Sequence, residues 1–300
     1  MVDTIGLTID QSMVNTSIDF MAEVGAKINV DIKCSNEYRI IGTYRNLHVF
    51  ITPSYVHIEG SLPKYRYGSN LVTLSREEPG NIIDEIGAAL GLPLRDAFVT
   101  RVDIAANLEM NNSPKSYFPY LSFLRNFNRS IENGSLYYRQ TYREFYFYDK
   151  VMEAKKHKDP LLTSGACQKH ILRYEMRFKR QWLQYYFDRK IKAIELYGET
   201  SDVCCELVAE WYQKYEDIVK VGMVKPAFEM TKMGLFDWLL RNYSRKNDII
   251  KLIDSCSAKG DRKAARLKRE VSAMLKKCDH EDEDMVGELN RKGWDAEEAY

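Results

Sequence analysis

Three stretches decide the fold: Val99-Thr-Arg-Val-Asp-Ile-Ala-Ala-Asn107, Glu144-Phe-Tyr-Phe-Tyr-Asp-Lys150 and Leu172-Arg-Tyr-Glu-Met-Arg-Phe-Lys179. Each alternates apolar and polar residues at the strand period of two, so each turns one apolar and one polar face. In the first, Arg101 and Asp103 share a face and Val102 and Ile104 point the other way. In the third, Leu172, Tyr174, Met176 and Phe178 form the side to be buried, with Arg173, Glu175, Arg177 and Lys179 opposite. A sheet pairing such strands gathers carboxylates and guanidinium groups on one surface, as metal-assisted phosphoryl transfer on a basic nucleic-acid platform requires. The bland alternative is a solvated face, common in antiparallel sheets. The conjunction of three such strands with a tyrosine cluster argues for the first reading.

Outward from these strands, residues 4–9, 27–33, 38–44 and 47–51 read as strands and 16–24 as a short helix. Residues 77–90 read as a helix with Pro79 in its first turn and Ile82, Ile83, Ile86 and Leu90 on one face. A second helix is expected at 119–127, strands at 135–139 and 143–148, a short basic helix at 150–156, a loop at 158–165 and a strand at 170–178. The stretch Gly60-Ser-Leu-Pro-Lys-Tyr-Arg-Tyr-Gly-Ser-Asn70 reads as a loop in which Lys64, Tyr65 and Tyr67 suit phosphates and unstacked bases; covering a core edge is the alternative. Beyond residue 180 the pattern turns helical, over 181–190, 202–219, 225–243 and 248–277. Asp202 is the expected cap of the second of these helices. The expected fold is α+β: an antiparallel-rich sheet of two βαβ-containing halves with helices on one face, followed by a helical C-terminal region. The corresponding domains are 1–180, catalytic; 181–278, helical and DNA-binding or accessory; and 279–300, an acidic tail expected to be disordered.

A net charge of +1 hides segregation along the 300 residues. Residues 245–277 are basic, with Arg262, Lys263, Arg266 and Arg269 placed to meet duplex phosphates, and an acid-rich run follows from Asp279. The six cysteines lack zinc-site spacing. With no signal-like leader and no apolar run near twenty residues, the chain is expected to be complete, soluble and cytoplasmic, away from membranes. No Walker loop, GxSxG elbow or GxGxxG fingerprint is present, which argues against a nucleotide-driven motor or an ordinary hydrolase.

Asp103 and Glu175 lie mid-strand between apolar residues, where a carboxylate must be hydrated, paired or bound to a cation. On neighbouring strands they can supply oxygens to Mg²⁺ or Mn²⁺; salt bridges with Arg101 or Arg173 are the structural alternative. Between these strands, Gly134-Ser-Leu-Tyr-Tyr-Arg-Gln-Thr-Tyr142 carries Tyr137, Tyr138 and Tyr142. A tyrosine attacks a phosphodiester only with help from a base, a metal or nearby cations, and Arg139, Arg143 and Lys150 supply local positive charge. Lys150 is placed to contact the scissile phosphate, with Asp149 orienting it. No His-x-His pair occurs among the five histidines.

The ordered set Gly60-Ser-Leu-Pro-Lys-Tyr-x-Tyr-Gly68, Thr100-Arg-Val-Asp-Ile-Ala-Ala-Asn107, Gly134-x-Leu-Tyr-Tyr138, Phe147-Tyr-Asp-Lys150 and Leu172-Arg-Tyr-Glu-Met-Arg-Phe178 resembles phage and plasmid replication initiators of the filamentous-phage gene II/gene X type. More loosely, it is similar to the Rep_trans plasmid initiators. The resemblance covers about residues 1–180 and implies a DNA endonuclease and strand transferase for rolling-circle replication. Metal-dependent attack by a tyrosine at a phage or plasmid origin would leave a 5′-phosphotyrosyl link. It implies Asp103 and Glu175 as metal positions and places the nucleophile within Gly134–Tyr138, with Tyr138 first and Tyr137 second; Tyr142 stays open. Asn107 stands where related plasmid initiators often carry a second acid. Arg101 and Lys150 join the catalytic set, and Arg139, Arg173 and Arg177 the DNA-binding set. The implied partners are single- and double-stranded origin DNA and the host replication machinery, with a homodimer left open. Two rivals remain, a non-catalytic origin-binding or copy-control protein and a relaxase-like conjugative nickase.

Overall fold

The computed structural model describes residues 1–14, 18–163, 170–197, 202–221, 266, 269–270 and 283–299. Among these, ten strands form one sheet: β1 (Val2–Asp10), β2 (Asn29–Val30), β3 (Ile40–Tyr44), β4 (Leu47–Ile51), β5 (Tyr55–Ser61), β6 (Phe98–Met110), β7 (Asn128–Glu132), β8 (Ser135–Arg139), β9 (Arg143–Asp149) and β10 (His170–Lys179). The order across the sheet is β2-β3-β4-β5-β1-β6-β10-β9-β8-β7, and every pairing is antiparallel. It divides into two halves with one plan. In each, the first strand lies at the centre, the fifth beside it, and the fourth, third and second follow outward. β5 and β6 run in the same direction on either side of β1, joined by a helical crossover, so the βαβ element is a split one.

That crossover contains α1 (Leu62–Tyr67) and α2 (Glu78–Leu90). α2 buries Ile82, Ile83, Ile86 and Leu90 and ends at Gly91 with a left-handed φ of 73°, as its spacing predicts. The stretch expected as a loop at 60–70 is instead the end of β5 and α1. Ser61 caps α1 by accepting from the Lys64 amide, Pro63 occupies the first turn, and Gly68 closes the helix at φ 71°. Proline breaks a helix interior but suits its first turn, and that distinction reverses the reading. β5 and β7 are strands beyond those expected, although Val56 and Ile58 alternate with polar residues along β5.

The apolar face of the sheet is the core. Phe145, Phe147, Tyr174, Met176 and Phe178 are buried on it, and Trp211 of α6 (Asp202–Asp217) stacks 4.6 Å from Tyr174. The remaining α-helices among the described residues are α3 (Lys150–Lys156), capped by Asp149, α4 (Pro160–Thr163), α5 (Arg180–Phe187) and α7 (Glu283–Glu298). α4 occupies part of the stretch expected as a loop at 158–165. The acidic end, expected to be disordered, is thus helical over most of its length, with Leu289 buried. No helix spans 119–127: a short 3-10 segment ends at Tyr120, and Ser122 then donates to the Val219 carbonyl in an extended exchange. At 16–24 the described residues form a single wide helical turn, Phe20–Val24.

One compact unit comprises Met1–Lys115, Leu124–Asp217 and Gly293–Tyr300, and a second comprises Ser116–Phe123 and Ile218–Lys292. The first therefore continues past residue 180 to include α5 and α6. The helices expected at 225–243 and 248–277 fall almost wholly outside the described residues, and the Asp202 side chain lies outside them too.

Candidate active site

The polar face of β6, β10, β9 and β8 is a grid set by strand register. Thr4, Asp103, Arg177, Glu144 and Arg139 stand in one row across β1, β6, β10, β9 and β8. The row alternates in charge from Asp103 onward and is bonded along its length: Arg177 Nε to Asp103 at 3.3 Å, Arg177 Nη1 to Glu144 at 3.5 Å, Arg139 Nε to Glu144 at 2.7 Å. The next row reads Ala105, Glu175, Tyr146, Tyr137, and beyond it stand Asn107, Arg173 and Tyr148. On the other side Glu59, Gly6 and Arg101 align across β5, β1 and β6. Gly6 has no side chain, so Arg101 passes over β1 to reach Glu59 at 2.6 Å. A Cβ on Gly6 would lie 2.8 Å from Thr100 Oγ1 and 3.0 Å from Arg101 Cβ.

Both carboxylates singled out in the sequence meet here, and neither is wet. Asp103 is fully buried and Glu175 nearly so. Asp103 accepts from Arg101 Nε at 2.8 Å and from Arg101 Nη2. Glu175 accepts from the hydroxyls of Tyr146 and Tyr148, the latter at 3.2 Å, and from Arg173 Nε at 3.0 Å. Burial raises Asp103 above the ordinary carboxylate range and the Glu175 charge adds to this, against the pull of Arg101 and Arg177. Glu175 moves the other way: the Arg173 charge and the Tyr146 hydrogen bond hold it down despite its burial. Two buried carboxylates can remain this close because three guanidinium groups neutralise them.

Arg173 anchors the far end. Its Nη2 lies 2.7 Å from Asp3, and its Nη1 donates to Asn107 at 2.9 Å and to the Asn70 carbonyl at 3.2 Å. The register of β1 against β6 shifts between Val2 and Thr4, and such a bulge re-aims a side chain, here Asp3 toward the polar face. Asn107, noted for not being an acid, uses both ends of its amide, donating to the Leu71 carbonyl at 2.9 Å as well. Lys150 is fully buried and donates to Asn70 at 2.6 Å and Glu153 at 2.5 Å; burial, with the Arg173 charge, lowers its pKa.

The candidate tyrosines separate by face. Tyr138 is fully buried on the apolar side, stacked 5.0 Å from Phe145, and burial pushes its hydroxyl up to about 12. Tyr137 is on the polar face, its ring 5.5 Å from Tyr146 and under the Arg139 guanidinium. Tyr142 is half-exposed in the β8–β9 turn. The hydroxyl that meets both an acid and a cation is that of Tyr146: it donates to Glu175 and accepts from Arg177 Nη2 at 3.1 Å. Burial, then Glu175, raises Tyr146 well above the usual tyrosine value, so its proton stays until a base takes it. Tyr146 and Tyr148 were legible as polar-face residues from the alternation of Glu144-Phe-Tyr-Phe-Tyr-Asp149.

Of the other DNA-binding candidates, Tyr65 is buried beneath Arg45. Tyr67 is partly exposed and hydrogen-bonds Glu78, and Lys64 is half-buried on α1. Arg266 and Arg269 are exposed in helical backbone, Arg266 pairing with Glu270 at 2.8 Å; Arg262 and Lys263 lie outside the described residues. Among the described residues no group of three or more His, Cys, Asp and Glu side chains is arranged to hold a metal ion. The pair Asp103 and Glu175 nonetheless matches the donor chemistry of Mg²⁺, which takes one or two carboxylates and completes its shell with water and phosphate oxygens. Among the described residues no helix is long and apolar enough to cross a membrane.

Arginines and tyrosine hydroxyls gathered on one sheet face are residue types that meet nucleic-acid phosphates. The family described as the N-terminal part of the replication-associated gene II protein matches residues 46–195, half of the chain. The chain belongs to that family and is a replication initiator of the phage type. A solved structure of a rolling circle replication initiator protein from Geobacillus stearothermophilus is similar at 14% identity, over 78% of this chain and 89% of that one, with a TM-score of 0.41. No curated protein matches the chain.

Proposed function

We propose that this initiator nicks and rejoins one strand of origin DNA at the Asp103–Glu175 face, with Tyr146 as the attacking residue. The observation that carries this reading is the Tyr146 hydroxyl held between the Glu175 carboxylate and the Arg177 guanidinium. A weak nucleophile is activated in this way by an adjacent base and a nearby cation. In the step, the Tyr146 oxygen forms a bond to phosphorus as the bond from phosphorus to the 3′-oxygen breaks. The phenolic proton passes to Glu175 only as the bond to phosphorus forms and makes the phenol acidic, and the 3′-oxygen leaves as a hydroxyl with a proton from water. The product is a 5′-phosphotyrosyl strand and a free 3′-end, and reversal of the step rejoins them. Arg101 and Arg177, both less buried than Arg173, face the phosphate and offset the charge that develops on it. Asp103 and Glu175 would also hold Mg²⁺ or Mn²⁺, which when bound adds positive charge at the phosphate oxygens. Tyr138 does not attack in this reading, since it lies in the core on the opposite face.

The test is a covalent adduct between the full chain and single-stranded DNA from its replication origin with Mg²⁺, located by peptide mapping. Tyr146→Phe is expected to abolish the adduct while single-strand affinity stays within about twofold, and EDTA to do the same. Glu175→Gln should slow adduct formation by about a thousandfold, within the range for loss of a general base. An adduct mapped to Tyr137 or Tyr142 would overturn the choice of residue. The complete absence of an adduct with intact origin binding would favour the non-catalytic origin-binding reading.

A further inference from the structure

On the same polar face, toward the N-terminal half, a cavity of about 470 Å³ opens between β1, β4, β5, β6 and the start of α5. It lies in the size range of small-ligand sites, roughly 300–1,000 Å³. Its walls are of two kinds. Phe50 and Tyr55 stack on each other at 5.8 Å and line it together with Phe98, while Arg180 and Lys190 stand at its mouth, Lys190 Nζ 4.7 Å above the Phe98 ring. A bulge helps shape the cavity: the register of β1 against β6 shifts between Gly6 and Leu7, opposite Thr100.

The cavity is also wired to the carboxylate grid. His57 lines it, with Nδ1 3.0 Å from the Thr8 hydroxyl and Nε2 3.7 Å from Glu59. Glu59 pairs with Arg101, and Arg101 with Asp103. A strand whose phosphate lies on Arg101 would therefore carry a neighbouring nucleotide to this opening.

We infer that the cavity receives one unstacked base of the single strand next to the nick, with the flanking phosphate on Arg180 and Lys190; this rests on the strand-nicking reading above. Aromatic rings with adjacent cations are the chemistry that binds unpaired bases. Asp10, the carboxylate in the wall, accepts hydrogen bonds from a base that carries an exocyclic amino group, so the pocket favours cytosine, adenine or guanine over thymine, which has none.

The test uses the full chain and three fluorescein-labelled decamers of equal charge: oligo-dC, oligo-dT and an abasic backbone. Wild type should bind oligo-dC about tenfold more tightly than the abasic strand, and oligo-dT between the two. Phe50→Leu and Tyr55→Leu should remove most of the oligo-dC advantage and leave abasic binding unchanged. Arg180→Ala, at an exposed position that spares the core, should weaken all three alike. Asp10→Asn should narrow the gap between oligo-dC and oligo-dT. Equal affinity for oligo-dC and the abasic strand, or ratios untouched by both aromatic variants, would overturn the pocket. Adduct mapping separates the two ideas: an adduct at Tyr146 with no base dependence sinks the pocket alone, and base-dependent binding without any adduct sinks the nicking reading alone.

Discussion

In β6–β10 the polar face is packed with charge, three guanidinium groups closing over two carboxylates until Asp103 and Arg173 are lost from solvent; in β1–β5 the same face, on the same strand plan, is left open around Phe50, Tyr55, His57 and Thr8. The backbone does not choose between these outcomes. Charge-bearing residues at alternate positions of β6 and β10 demand partners within reach, and finding them excludes water. Threonine, histidine and aromatic residues on β1, β4 and β5 make weaker demands, so that half keeps a cavity. In the proposed reading the closed half supplies the reaction and the open half the grip on the strand.

The sharpest way to break this comparison is Arg173→Ala. It strands Asp3 and Glu175 without their buried partner, and removing one member of a buried pair costs about 3–5 kcal/mol. Arg95→Ala, which breaks the exposed pair with Asp84, should cost less than about 1 kcal/mol. Urea denaturation of both variants checks the contrast, and similar losses for the two would mean the closed half is not held by its charges.

The polar alternation that builds the closed half was legible in the sequence, and so was its consequence for the tyrosines. Leu136 and Tyr138 have the same parity in β8, so an apolar Leu136 sends Tyr138 into the core and Tyr137 to the polar face. The expectation of Tyr138 as the first candidate rested on the paired tyrosines of the motif, whereas the parity separates the two by face. Burial of the grid was not legible, because it depends on Asp3, Asn70 and Asn107, brought to Arg173 from two other segments and a neighbouring strand. The cavity was hidden for a similar reason, since its wall residues come from five separate stretches and none forms a motif alone.

A smaller effect tests the seam between the halves, where Gly6 lets Arg101 cross β1. Gly6→Ala puts a methyl group against Thr100 Oγ1 and Arg101 Cβ, and overpacking of this kind costs about 1–3 kcal/mol. The variant should lose the Arg101–Glu59 pair and keep Arg177 on Asp103. A crystal structure of the variant with both Arg101 contacts intact would show that the glycine serves another purpose.

The smallest effect is read at Glu59, which belongs to the open half and answers to the closed one. Its carboxyl is held down to about 2 from an ordinary 4.5, first by its contact with His57 and then by Arg101, against the effect of burial. A depressed acid stabilises the fold above its unfolded value, and that contribution fades as the pH falls from about 4.5 through about 2. Carboxyl-carbon NMR on selectively labelled protein should therefore find a Glu59 midpoint near 2 in wild type. His57→Ala and Arg101→Ala should each move that midpoint up, because the histidine contact and the guanidinium both hold the carboxyl down. If Arg101→Ala leaves the midpoint where it was, Glu59 belongs to the cavity alone and the chain of contacts from His57 to Asp103 does not join the two halves.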